Sequence, residues 1–298
     1  MEVQELGNCP VCGAAGCRPH AVCTDYVMSH ENYILAKCPE CDMVFTYQAP
    51  GELEMTGYDK LDLKLKLGGN PTGLVHRLYW HVRSLMLGWK AGTVEKFSGR
   101  NNGNLLNYGA KTGFFSSFME DRGWNVTSVE KYHEERFFSL ENFHHRMIGV
   151  DDMQMLKPQA FDVVTMWHVF EHNRKPEELL DRFYALLRPD GLLVMACPNY
   201  TSTDARYYGN CWAGYDVPRH LWHFTPLSLS SLAAKHGFTL MHHEVMPYDS
   251  FYISILSEQN MGHRFAFIRG MYHGLVSWFK SKVNRARGSS LVYVFRKK

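Results

Sequence analysis

The chain has 298 residues, 45% of them hydrophobic and 21% charged, with a formal charge of +2 when histidine is neutral. That length suits one large domain, or a large and a small one, with enough apolar residues to bury a core. The small net charge argues against a bulk polyanion binder, and no run of 18 apolar residues suggests a transmembrane helix.

The N-terminus, Met1 to Glu5, has neither the basic nor the apolar character of a secretory leader, so a cytoplasmic setting is expected. In that setting the eight cysteines are thiols or metal ligands rather than disulfides. Cys9-Pro-Val-Cys12 and Cys38-Pro-Glu-Cys41 form two CxxC knuckles, 25 residues apart. Two residues between cysteines let both thiolates turn onto one ion, and four thiolates complete the tetrahedral shell of structural zinc. Tyr33–Lys37 and Met43–Tyr47 read as short strands, so residues 1–48 are expected to form a zinc ribbon, with Cys17, His20 and Cys23 in a loop. Residues 1–48 hold two basic residues against six acidic ones, and a zinc centre of four thiolates adds negative charge. Such a ribbon is a poor phosphate binder, which argues against nucleic acid.

Residues 49–100 read as a helical linker. Leu74 to Trp89 has helical periodicity with aromatic and basic faces, suited to covering a cofactor or to packing on the core. From residue 104 strands and helical patterns alternate. Strands are expected at Asn104–Tyr108, Trp124–Val129, Met147–Val150, Phe161–Trp167 and Leu192–Ala196, with helices from Phe114 to Arg122 and Pro176 to Leu187. The pattern implies an α/β fold with a parallel sheet covered on both faces, whose ligands bind at the carboxyl ends of the strands.

Those ends carry the chemistry. Gly109-Ala-Lys-Thr-Gly113 is a glycine-containing turn after the first strand. Glu130 ends the second strand, 17 residues past Gly113, where a carboxylate can accept from both ribose hydroxyls. Asp151 or Asp152, after the third, can accept from an adenine amino group.

Phe161-Asp-Val-Val-Thr-Met-Trp-His-Val-Phe-Glu-His172, Leu187-Arg-Pro-Asp-Gly-Leu-Leu-Val194 and Pro198-Asn199 together resemble the class I S-adenosylmethionine-dependent methyltransferases. Asp216-Val-Pro-Arg-His-Leu-Trp-His-Phe-Thr225 resembles a subgroup that carries an N-terminal zinc ribbon. The resemblance implies a Rossmann-like sheet of seven strands whose last, Ser290–Phe295, is antiparallel. It implies that Asn107, Gly109, Lys111, Gly113, Glu130, Asp151, Asp152 and Trp167 lie along S-adenosyl-L-methionine, with Glu130 on the ribose and Asp152 on the adenine. It places His168, Glu171 and His172 on the acceptor side. The family usually has an acid where this chain has Asn107, and a glycine where it has Lys111.

Methyl transfer needs an aligned acceptor and sometimes a base, and histidine suits proton removal at neutral pH. His168 and His172 are the first candidates, as acceptor base or binder. Arg219, His220 and His223 follow the aromatic loop Tyr207–Tyr215, which suits an acceptor pocket or packs against the sheet. Residues 261–298 hold nine basic residues and no acid, interleaved with aromatics. A basic helical insertion at about 257–287 is expected there, able to meet an anionic membrane, a phosphate-bearing acceptor or the sheet. The sequence reads as a methyltransferase, residues 101–298 forming its catalytic domain, acting on a small-molecule or glycan-precursor acceptor, most naturally at oxygen. Its alternatives are a pseudo-methyltransferase used for binding, or an RNA methyltransferase.

Overall fold

The computed structural model describes residues 6–52, 54, 55, 57, 58 and 74–298, without the side chains of residues 74–80. Met1 to Glu5 and part of the 49–100 linker therefore lie outside the described residues.

The N-terminal unit is a meander of β1 (Arg18–Thr24), β2 (Asn32–Lys37) and β3 (Val44–Thr46), paired antiparallel. The expectation of a loop around His20 is corrected: the stretch is β1, which puts Cys23 inward at 1% exposure and Val22 outward at 49%. This sheet has a fourth strand taken from far along the chain, β8 (Trp222–His223), which pairs with β3 through Val44↔His223 and Phe45↔Trp222.

The larger unit starts with α1 (Leu74–Ser98) and then alternates β4 (Gly103–Tyr108), α2 (Phe114–Asp121), β5 (Trp124–Val129), α3 (His133–Phe143), β6 (Phe161–Trp167), α4 (Pro176–Leu186) and β7 (Leu187–Pro198). The short α5 (Thr203–Tyr208), then α6 (Pro226–Lys235), β9 (Phe238–Val245), α7 (Asp249–Asn260), α8 (Ala266–Val283) and β10 (Ser290–Lys297) complete it. The sheet order is β5-β4-β6-β7-β10-β9, with β5, β4, β6 and β7 parallel and β10 antiparallel to both its neighbours. The antiparallel last strand is as expected.

The seventh strand is not. Met147–Val150 makes only a single parallel bridge, Val129↔Ile148, so among the described residues the regular sheet has six strands. The reason is local: Gly149 follows at once, its amide engaged by Asp152 at 3.1 Å, and the chain turns away into a short 3₁₀ segment at Asp151–Met155. Successive strand residues serve opposite faces. Leu105, Val163, Val194 and Val292 pack with α1 and α2. Leu106, Val164, Met195 and Tyr293 pack with α4, α6 and the core of the N-terminal unit. Because the ribbon's Phe45 and Met43 belong to that second cluster, the two units share one core.

Candidate active site

The strand order reverses between β4 and β6, and a crevice at such a switch point is where ligands bind on open α/β sheets. The turn after β4 runs through left-handed φ at Gly109 (69°), Lys111 (51°) and Gly113 (85°). Two of these need glycine for space as well as φ. A Cβ on Gly109 would stand 2.4 Å from Val169 Cγ2, and one on Gly113 2.3 Å from Ser139 Oγ. Lys111 takes the same conformation at the cost a side chain brings there. Its N–H donates to Glu130 Oε2 at 2.7 Å, and Tyr132 N–H donates to Oε1 at 3.1 Å. Glu130 is thereby fixed, 4% exposed, at the end of β5.

Asn107 lies beneath this turn rather than in it. Its amide donates to Ser116 Oγ at 2.9 Å and accepts from Thr165 Oγ1 at 3.0 Å, at 2% exposure. Asp151 and Asp152 are exposed beyond the bridge at Ile148. Trp167 ends β6, its ring edge-on to Phe115 at 5.3 Å and its buried indole N–H without a partner among the described residues. Lys90 Nζ stands 4.7 Å from the Trp167 ring centroid. Burial pushes the Lys90 pKa down to about 8; Asp249 opposes this, and Lys111 and Arg83 add to it.

The next residues form the acceptor side. His168 has φ 56°, which turns its ring back between two carboxylates. Its Nε2 is 3.2 Å from Asp249 Oδ2 and its Nδ1 is 3.4 Å from Glu171 Oε1. Burial opposes charging of His168, but the carboxylates of Asp249 and Glu171 outweigh it and raise the pKa to about 9. Glu171 is fully buried, its desolvation overcome by His168, and its pKa is lowered to about 2. His172 is held by donation from Nδ1 to Arg219 O at 3.0 Å, and burial with the charge of His220 lowers its pKa to about 3. His220 donates from Nδ1 to Gly214 O at 3.0 Å, and its ring meets His172 edge-on at 4.7 Å.

His168, Glu171, His172 and His220 therefore come together. His223 does not join them. Thr46 Oγ1 gives its only proton to His220 O at 2.7 Å, so His223 Nε2, 3.1 Å away, must be the donor to Thr46. Burial and the charge of His220 hold the His223 pKa well below its usual value, which makes it a neutral structural residue of the seam. Arg219 is forked onto Asp216 at 2.8 and 3.1 Å. Of the two readings of the aromatic loop and the segment after it, packing is the one seen at Trp212, Trp222 and Phe224, which are 2%, 6% and 1% exposed. Asp249, Lys90 and Thr46 are additions that sequence reading missed. Each comes from an element remote in the chain, and no spacing signals such a meeting.

The four knuckle thiols converge away from this site, in the ribbon. Cys9 Sγ is 3.7 Å from Cys41 Sγ, Cys12 Sγ is 3.6 Å from Cys38 Sγ, and all four lie within 4.8 Å of one another. A tetrahedral zinc shell with bonds of about 2.3 Å needs sulfur separations of about 3.8 Å.

Residues 80–243 match the family model described as a methyltransferase domain, which is more than half of the chain. The chain belongs to that methyltransferase family. The switch-point sheet, with its antiparallel strand, is accordingly that of an S-adenosylmethionine-dependent enzyme of class I. The ubiquinone biosynthesis O-methyltransferase of Psychrobacter arcticus is 25% identical over 183 residues, covering 55% of this chain and 70% of that protein. The protein of the same name from Haemophilus ducreyi is 28% identical over 117 residues, covering 36% and 50%. The chain thus spans about half the length of the second relative.

Among solved structures, 1,6-didemethyltoxoflavin-N1-methyltransferase of Burkholderia thailandensis, with bound 1,6-didemethyltoxoflavin and S-adenosylhomocysteine, has a TM-score of 0.53 at 17% identity, covering 94% of this chain and 99% of that one. An S-adenosylmethionine-dependent methyltransferase from Archaeoglobus fulgidus has a TM-score of 0.50 at 19% identity, covering 72% and 94%. At these identities the likeness is one of fold.

Proposed function

We propose that this methyltransferase O-methylates a small, ring-bearing acceptor whose reacting oxygen meets His168. The observation that carries this reading is the position of His168, immediately after Trp167 at the switch point, clamped between Asp249 and Glu171. The names of the O-methyltransferase relatives support the acceptor atom.

The residues of the switch point fit the cofactor. Each Glu130 oxygen receives one main-chain N–H and keeps a lone pair for a ribose hydroxyl. The unpartnered Trp167 N–H offers a donor, and Lys90 supplies positive charge suited to a carboxylate. When bound, S-adenosylmethionine supplies a methyl group already activated by its sulfonium. Both ring nitrogens of His168 face carboxylates, so the ring is held as the imidazolium and is no base for the acceptor. Its positive charge on the acceptor side favours ionisation of the acceptor's hydroxyl, whose proton passes to solvent. Glu171 and Asp249 keep that ring oriented, and His172 and His220 stay fixed by backbone carbonyls.

The four ribbon thiolates hold a structural zinc in this reading, residues 1–48 forming the ribbon, 49–100 the linker and 101–298 the catalytic domain. The ribbon clamps the 216–225 loop through β3 and β8. The test is transfer of labelled methyl from S-adenosylmethionine to a panel of phenolic, sugar and carboxylate acceptors. Transfer to a phenolic oxygen, lowered about 10²–10³-fold by His168→Gln, is expected. Transfer to nitrogen, or full activity in the variant, contradicts the reading.

A further inference from the structure

A surface helix ordinarily turns its large apolar residues toward the core. The helix α8 does the reverse. Its buried residues are Gly270, Gly274, Ser277 and Ser281, and they let it close directly on α7. A Cβ on Gly270 would stand 2.5 Å from Ile255 Cα, and one on Gly274 2.6 Å from Phe251 Cα. The outward stripe is Phe265, Ile268, Tyr272, Leu275, Phe279 and Val283, three or four residues apart. Their exposure runs from 42% at Leu275 to 92% at Val283, far more apolar surface than scattered single residues present.

The charge around this stripe has one sign. Residues 261–298 contain nine basic residues and no acid. The two acids of α7 point inward: Asp249 meets His168 at 3.2 Å, and Glu258, fully buried, holds Arg269 at 2.7 Å and His263 at 2.5 Å. Arg264, Lys280, Lys282 and Arg285 flank the stripe and form no ion pair among the described residues. An exposed apolar stripe flanked by basic residues is the composition of a helix that lies in a membrane interface.

We propose that the α7–α8 hairpin docks on an anionic lipid bilayer. The outer stripe of α8 enters the headgroup boundary in the membrane plane, and Arg264, Lys280, Lys282 and Arg285 meet lipid phosphates. The one-signed charge selects this occupant, since it repels a second copy of the same face and matches an anionic surface. Because α8 packs on α7 and α7 begins at Asp249, docking ties the acceptor side of the site to a membrane-bound hairpin.

The test is co-sedimentation of the full-length, zinc-loaded protein with phosphatidylcholine vesicles and with phosphatidylcholine–phosphatidylglycerol vesicles. Binding to the mixed vesicles, weakened by salt, is expected, with little binding to the neutral ones. Lys280→Gln with Lys282→Gln should lower partitioning about thirtyfold, near fivefold for each basic residue. Ile268→Ser with Phe279→Ser should abolish it while the melting temperature and S-adenosylmethionine affinity stay as in the parent, because both side chains are exposed. Protein that stays in the supernatant with both vesicle types overturns the proposal. So does a dimer in light scattering that the serine variant converts to a monomer without any vesicle binding, which would give this face to a second copy.

Discussion

His168 shows how a single left-handed residue sets up a site. Its φ of 56° swings the ring out of the line of β6 and into the space between Asp249 and Glu171. Two carboxylates raise its pKa to about 9 from an ordinary 6.5. A raised pKa means that the folded state binds the proton more tightly. The stabilisation is complete below pH 6.5 and is lost as pH rises from there through about 9. The melting temperature of the parent should therefore fall across that window, and His168→Gln should flatten the slope. Asp249→Asn should lower the His168 pKa, read by the pH dependence of its imidazole NMR shifts; an unchanged pKa would mean that Glu171 alone holds the charge. Glu171 works in the opposite sense. Its pKa of about 2 contributes stability above its ordinary 4.5, lost as pH falls through about 2. The candidate histidines were legible because His168, Glu171 and His172 sit together in the sequence after an unmistakable strand. Their charge states were not, because Asp249 is placed by the return of the chain after β9.

At the scale of elements, the β4–α2 turn and the ribbon seam carry the most consequence. Gly113 combines φ 85° with a Cβ position 2.3 Å from Ser139 Oγ and 2.7 Å from Met147 Cε. Gly113→Ala should destabilise the fold by about 1–3 kcal/mol through overpacking, with added backbone strain, as measured by urea denaturation. The central strands were readable from their apolar runs, and Phe161–Trp167 appears with the bounds expected. The Met147–Val150 segment was misread because its apolar residues satisfy a strand pattern while Gly149 and the acids after it end the pairing at one bridge. The β3–β8 pairing was illegible for a different reason: two residues are too few to show a period. In that seam Thr46 N–H donates to Leu221 O at 3.0 Å and Trp222 Nε1 to Asn173 O at 2.6 Å. Cys38→Ser should remove the bound zinc measured by elemental analysis and loosen this seam, read as faster proteolysis in the 209–221 loop. Zinc retention at parental stoichiometry would contradict the four-thiolate reading.

Across the whole molecule, one core joins the N-terminal unit to the sheet, and one sheet positions three features at different ends. The switch point between β4 and β6 gathers Glu130, Trp167 and His168. The ribbon braces the loop that carries His220. The α7–α8 hairpin begins at Asp249 and ends in a positively charged apolar face. The alternation of strands and helices, the two knuckles and the motif around His172 made this plan readable from the sequence. The inside-out orientation of α8 was not, because glycines and serines give a weak periodic signal and the large residues alone suggest a buried face. The central claim is that the switch point holds S-adenosylmethionine through Glu130, with Lys111 in the turn. Calorimetric titration of S-adenosylmethionine and S-adenosylhomocysteine into the zinc-loaded protein and into Glu130→Ala tests it most directly. Micromolar binding to the parent, weakened at least tenfold in the variant, is the predicted result. Absence of binding by the parent, or equal affinity in both proteins, would contradict it.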